Sequence, residues 1–77
     1  MQRLRYTIGI PPGYEELVAN LFLDNDQWGA ITQEKGEILL VLYPSSSGAP
    51  WSMGFSEVME MLHRAEADLK NRPKING

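Results

Sequence analysis

The sequence contains no cysteine and only one histidine, His63. Without cysteine a chain has no disulfide framework, no thiolate zinc site and no cysteine nucleophile. A single histidine also excludes a His-rich metal site. The sequence therefore predicts no metal and no cofactor, and it gives no reason to expect an oxidising compartment.

Long apolar runs are also missing. No stretch approaches the roughly 20 apolar residues that a membrane span requires. The short apolar stretch near the N-terminus is followed at once by Glu15 and Glu16, which is unlike a secretory signal peptide. We therefore expect a cytoplasmic protein without a membrane partner.

Basic residues are few and dispersed, with seven Lys and Arg against ten Asp and Glu and a net charge of −3. Sequence-independent binding to nucleic acid needs a clustered basic surface. We therefore expect no direct contact with nucleic acid. An acidic balance instead suits a partner with a basic surface.

The 77 residues suffice for a single domain, 1–77, whose ends at 1–3 and 73–77 are expected to fray. A chain this short buries only about 60% of the surface that its unfolded form exposes. Domains of this size often depend on a covalent cross-link, a bound metal or a partner for their stability.

Alternating residues and turn signals predict four strands. Residues 4–10 alternate apolar with polar and stop at Pro11-Pro12-Gly13. Residues 14–23 fit either a helix or a strand. We favour the strand, because the Asp-Asn-Asp turn at 24–26 follows and 27–32 looks like a returning strand. A second turn at 34–37 precedes the run 38–43, whose two faces are both apolar. Such a run marks a central strand, or one whose second face meets something else.

A helix is predicted over 55–70, where Phe55, Val58, Met59, Leu62, Ala65 and Leu69 form one apolar stripe. Gly54 is placed to cap its start, with Met53 packing onto Val58. Pro73 is expected to end it. The predicted fold is thus α+β, a four-stranded antiparallel meander with one C-terminal amphipathic helix packed on one face.

One helix does not cover every large apolar residue of such a sheet. The remaining apolar residues must be covered by the loop at 44–54 with Trp51, by a second copy of the chain, or by a partner. If an interface covers it, Trp28, Tyr43 and Trp51 are the expected anchors. Two pairs of acids add acidic tips at opposite ends of the sheet, where they could steer a basic protein partner: Asp24 with Asp26, and Glu34 with Glu37. Solubility and edge protection are the simpler explanation of the same charges.

No catalytic set is recognisable in the sequence, so no catalytic residue is predicted. His63 has no neighbouring motif, Ser45-Ser46-Ser47 lacks a nucleophile-elbow pattern, and the glycines match no phosphate-binding spacing. Paired carboxylates fall in or beside predicted turns, whereas a catalytic pair needs burial and a facing cleft.

The chain resembles small bacterial immunity proteins that are encoded beside polymorphic or contact-dependent inhibition toxins. The resemblance lies in YEELVANLFLDNDQWGAITQEKGEILLVLYP, then PW, then FSEVMEMLHRAEADL. It implies a protein that binds one cognate toxin stoichiometrically and blocks its action, and many such toxins are basic nucleases. RLRYTIGI and GFSEVMEML are also similar to the sheet-and-helix domain of HicB-type antitoxins.

The leading hypothesis is therefore an immunity-type inhibitor of a bacterial toxin. The alternatives are a homo-oligomeric accessory or structural subunit, with homodimerisation through the second sheet face, and a HicB-like antitoxin domain. An enzyme is the least supported of the hypotheses, because no constellation of reactive residues can be assembled.

Overall fold

The computed structural model describes residues 3–71. Its elements are β1 (Leu4–Gly9), β2 (Val18–Leu23), β3 (Asp26–Thr32), β4 (Leu39–Leu42) and α1 (Phe55–Asn71). The strands form one antiparallel sheet in the order β1-β2-β3-β4. The predicted α+β meander with one C-terminal helix is confirmed. The expected stop at Pro73 and the expected fraying of 1–2 and 73–77 lie outside the described residues.

The ambiguous segment 14–23 is a strand over Val18–Leu23, as predicted, while residues 14–17 lie in the preceding loop. The turn after it depends on Asp24, which adopts a φ of 55°. Short polar side chains tolerate this left-handed conformation better than most. Arg3 fixes the turn from the neighbouring strand end: its N–H donates to Asp24 Oδ1 at 2.9 Å, and its carbonyl accepts from the Asp24 N–H at 2.8 Å.

The core lies between the sheet and α1. On the β1–β2 ladder, Tyr6 pairs with Leu21 and Ile8 pairs with Ala19, so their side chains point to the same face. The helix contributes the other side of this layer. The buried residues of this core, from the strands and the helix together, are Ala19, Leu21, Leu23, Trp28, Ile31, Met61, Ala65 and Leu69.

A bulge in the β2–β3 ladder places an extra residue, Trp28, between two successive pairs. The next residue, Gly29, lies against β4, and a Cβ atom there would be 2.5 Å from the carbonyl oxygen of Val41. Real side chains do not tolerate that distance. Only glycine therefore allows β3 and β4 to approach each other at this point.

Helix α1 is displaced towards one side of the sheet. It packs on β1 and β2, and the Tyr6 hydroxyl donates to Asp68 Oδ2 at 3.2 Å. Its first turn begins where predicted, because the Gly54 carbonyl accepts from the Val58 N–H at 2.9 Å. A helix is about 10 Å wide and strands lie about 4.8 Å apart. One helix therefore covers about two strands, and β4 at the far edge of this face has no helix above it.

Candidate protein-binding surface

The displacement of α1 leaves a groove between the helix and β4. The residues that line it are Ile31, Ile38, Leu40, Met59 and Leu62, with His63 and Glu66 at the rim. We call this set the apolar groove. Its volume of about 260 Å³ is smaller than the roughly 300–1,000 Å³ of typical small-molecule sites. It is the size of one or two aliphatic side chains, which suits a protein surface better than a cofactor.

The walls of the apolar groove continue into an exposed apolar surface. Leu40 is 48% exposed and Leu42 is 66% exposed on β4, while Phe55 is 78% exposed at the start of α1. Phe55 and Met59 are four residues apart, so they share one face of the helix with Leu62. The predicted surplus of apolar surface is therefore present, and it is concentrated at one side of the sheet.

The other face of β4 is also open, since Leu39 is 49% exposed. The strand order places β4 at the edge of the sheet, so the doubly apolar run 38–43 is not explained by a central position. The expectation of a central strand is therefore wrong: β4 is an edge strand with exposed leucines on both faces.

The loop at 44–54 covers a different part of the molecule. Trp51 Nε1 donates to the Tyr43 carbonyl at 2.9 Å, and Trp51 and Met53 pack against the core. Tyr43 is half-buried beside this contact. The loop therefore packs at Tyr43, just beyond the end of β4, and leaves Leu39, Leu40 and Leu42 exposed.

Trp28, a predicted interface anchor, is 3% exposed and belongs to the core. Its side chain therefore offers no contact surface in this fold. The indole Nε1–H is buried and has no hydrogen-bond acceptor among residues 3–71. Leaving such a donor unsatisfied costs about 1–3 kcal/mol, so burial of the indole ring must outweigh that cost.

The four predicted acidic residues lie at opposite ends of the sheet, as the meander requires, and two of them have internal partners. Asp24 bonds to Arg3, and its carbonyl accepts from Arg5 Nε at 3.2 Å. The Glu34 carboxylate accepts from the backbone N–H groups of Glu15 and Glu16, the shorter contact being 2.8 Å. Asp26 and Glu37 are exposed. Glu34 thus brings Glu15 and Glu16 to the end of the sheet that adjoins the start of β4.

A second, larger cleft of about 570 Å³ lies between β1 and α1. Its charged lining combines Arg3, Arg5 and Arg64 with Glu57 and Glu60. Arg64 and Glu60 form an exposed ion pair at 3.4 Å. The mixture of signs favours no particular charged ligand.

Over residues 3–71, no cluster of three or more potential metal-ligating side chains is present. None of the helices in this part of the chain combines the length and hydropathy needed to cross a bilayer.

Fold and surface together define an α+β domain whose sheet is covered by a helix on half of one face. Compared with protein-family models, curated proteins and solved structures, the chain matches none of them.

The sequence pointed to part of this surface. It predicted Tyr43 and Trp51 as interface anchors, both of which are half-buried, and it predicted the excess of apolar residues at 38–43. It did not single out Leu40, Leu42 or Met59 as surface residues, and it assigned Phe55 to the buried stripe. The available signal was that 38–43 has no polar residue on either face.

Proposed function

We propose that the protein is a stoichiometric protein-binding module of the immunity type, which neutralises a bacterial toxin by occupying part of its surface. The observation that carries this proposal is the apolar groove with its exposed continuation on β4 and α1. Exposed apolar surface of this kind, bordered by polar residues, is typical of protein interaction sites.

The charge distribution supports a basic partner. The chain holds ten acidic and seven basic side chains, a net charge of −3. Glu37 directly precedes the apolar run at 38–43, and Glu66 stands at the rim of the groove. A toxin segment with apolar side chains flanked by Lys or Arg would fit both features. Such complementarity accelerates association and rejects partners of the wrong charge.

The direct test is co-expression with the product of the adjacent gene. We expect that product to arrest growth when it is expressed alone, and to co-purify with this protein and become harmless when both are present. A neighbouring product that is harmless and does not bind contradicts the proposal. Affinity for the purified toxin is expected to fall as salt is raised, because charge attraction is screened.

A matched pair of helix variants locates the binding surface. Met59→Glu places a charge in the apolar groove, whereas Ala67→Glu adds the same charge at an exposed position outside it. We expect Met59→Glu to weaken toxin binding by at least about tenfold, because it buries an unpaired charge. Ala67→Glu should still protect the cells. Equal protection by the two variants, both folded by circular dichroism, excludes the groove as the site.

A further inference from the structure

The two edges of the sheet differ in how they are protected. The β1 edge carries Arg5 and Thr7, both exposed, and Arg5 lies over the Phe22 ring at 4.3 Å. Proteins commonly use such charged residues to prevent an edge strand from pairing with another chain. The β4 edge has no charge, no proline and no bulge between Ile38 and Tyr43.

The free hydrogen-bonding groups of β4 follow from its pairing with β3. Tyr43 donates its N–H to the Trp28 carbonyl at 3.0 Å, so Tyr43 is a residue whose backbone groups point towards β3. These groups alternate in direction along an antiparallel strand. The N–H and C=O groups of Leu42, Leu40 and Ile38 therefore point away from the sheet. The side chains of Leu40 and Leu42 are also exposed.

We infer that β4 pairs with β4 of a second copy of the chain, antiparallel and centred on Leu40, to make a continuous eight-stranded sheet. In this arrangement Leu40 faces Leu40 of the second copy, and Ile38 faces its Leu42. Three such pairs would form about six backbone hydrogen bonds. The apolar side chains on both faces of each β4 strand would then lie beside apolar side chains of the other copy.

Electrostatics do not oppose a second copy in this arrangement. The nearest charged residue, Glu37, lies three positions from Leu40, which is about 10 Å at the rise of an antiparallel strand. The two Glu37 residues would therefore be about 20 Å apart at opposite ends of the interface, beyond the Debye length of about 8 Å at physiological salt. Two acidic chains can thus meet at this edge without opposing like charges.

The pairing uses the backbone groups along the edge of β4, whereas the proposed toxin interaction uses the apolar groove, and Ile38 and Leu40 belong to both surfaces. A two-fold axis through Leu40 and perpendicular to the sheet keeps both copies of α1 on the same face. Both apolar grooves therefore remain on one side of the dimer, next to each other. The dimer can be tested with the purified protein alone, so its failure and the failure of toxin binding are distinguishable.

The decisive experiment uses opposite charges at the centre of the interface. Leu40→Lys and Leu40→Glu each place like charges opposite each other in a homodimer, and each variant is expected to raise the dimer dissociation constant at least about tenfold. Because the two residues face each other, mixing the two variants should restore a dimer that contains one of each. Analytical ultracentrifugation at micromolar concentrations measures both effects, and circular dichroism verifies that each variant is folded.

Thr7→Lys on the opposite edge is the control, and it should leave the dimer intact. A wild-type protein that stays monomeric throughout the concentration range would overturn the inference. The free edge of β4 would then be available for pairing with a strand of another protein. Dimers that persist in both Leu40 variants would also overturn it, as would a mixture of the variants that fails to associate.

Discussion

Trp51 donates its indole N–H to the backbone carbonyl of Tyr43 at 2.9 Å, which ties the loop before α1 to the end of β4. We expect Trp51→Phe to lower the free energy of unfolding by about 0.5–1.5 kcal/mol, because it removes this hydrogen bond while keeping an aromatic ring in place. Urea unfolding followed by far-UV circular dichroism measures the change. Trp51→Ala also removes the packing and should cost more; an equal cost for the two would show that the hydrogen bond contributes the whole effect.

The close approach of Gly29 to β4 gives a second prediction. Gly29→Ala puts a methyl group 2.5 Å from the Val41 carbonyl oxygen, so it should destabilise the protein by about 1–3 kcal/mol or more. Gly9 is the matched control, since a Cβ there meets nothing within 4 Å. Gly9→Ala should be neutral or stabilising by up to about 1 kcal/mol, because alanine loses less backbone entropy in a strand. Thermal unfolding of the two variants compares them directly.

Glu34 supports the loop between β1 and β2 through the N–H groups of Glu15 and Glu16. Glu34→Gln keeps one acceptor oxygen but loses the charge, and we expect a cost of about 1 kcal/mol because hydrogen bonds to a charged group are the stronger kind. Glu37 has no hydrogen-bond partner in the described part of the chain. Glu37→Gln should therefore stay within about 0.5 kcal/mol of the wild type. Chemical denaturation resolves the difference, and similar values for both variants would contradict a bracing role for Glu34.

Two leucines on the helix side of the sheet should respond very differently to truncation. Leu21 is fully buried, whereas Leu42 is 66% exposed. Leu21→Ala should cost about 2–5 kcal/mol, because it leaves a cavity beneath α1. Leu42→Ala should cost less than about 0.5 kcal/mol when the protein is dilute. Unfolding midpoints at low protein concentration test this, and a large loss at Leu42 would mean that β4 is covered in the isolated chain.

Much of the fold could be predicted from the sequence because its local signals agree with one another. Alternation in 4–10, the Asp-Asn-Asp turn and the apolar stripe from 55 onward each indicate one element, and the structure has these elements in that order. The strand interpretation of 14–23 held only from Val18 onward. Periodicity alone did not show where the turn region before it ends.

The surface was harder to predict because it depends on where α1 sits across the sheet. The helical stripe shows which face of α1 is apolar, but not which strands it covers. Phe55 shares that stripe and is nonetheless 78% exposed. Trp28 shows a second difficulty: the bulge beside it changes the register of β3, so simple alternation did not assign its side chain to the core.

The off-centre position of α1 also determines which part of the sheet should unfold locally first. Strands β1 and β2 are held by each other and by the helix, whereas β4 is held by β3 alone among the described strands. In the dilute monomer, protection of backbone amides against exchange with solvent deuterium should therefore decrease from β2 towards β4. The amides of Leu39 and Val41, although bonded to β3, should exchange through a partial opening that leaves the helix and its two strands intact.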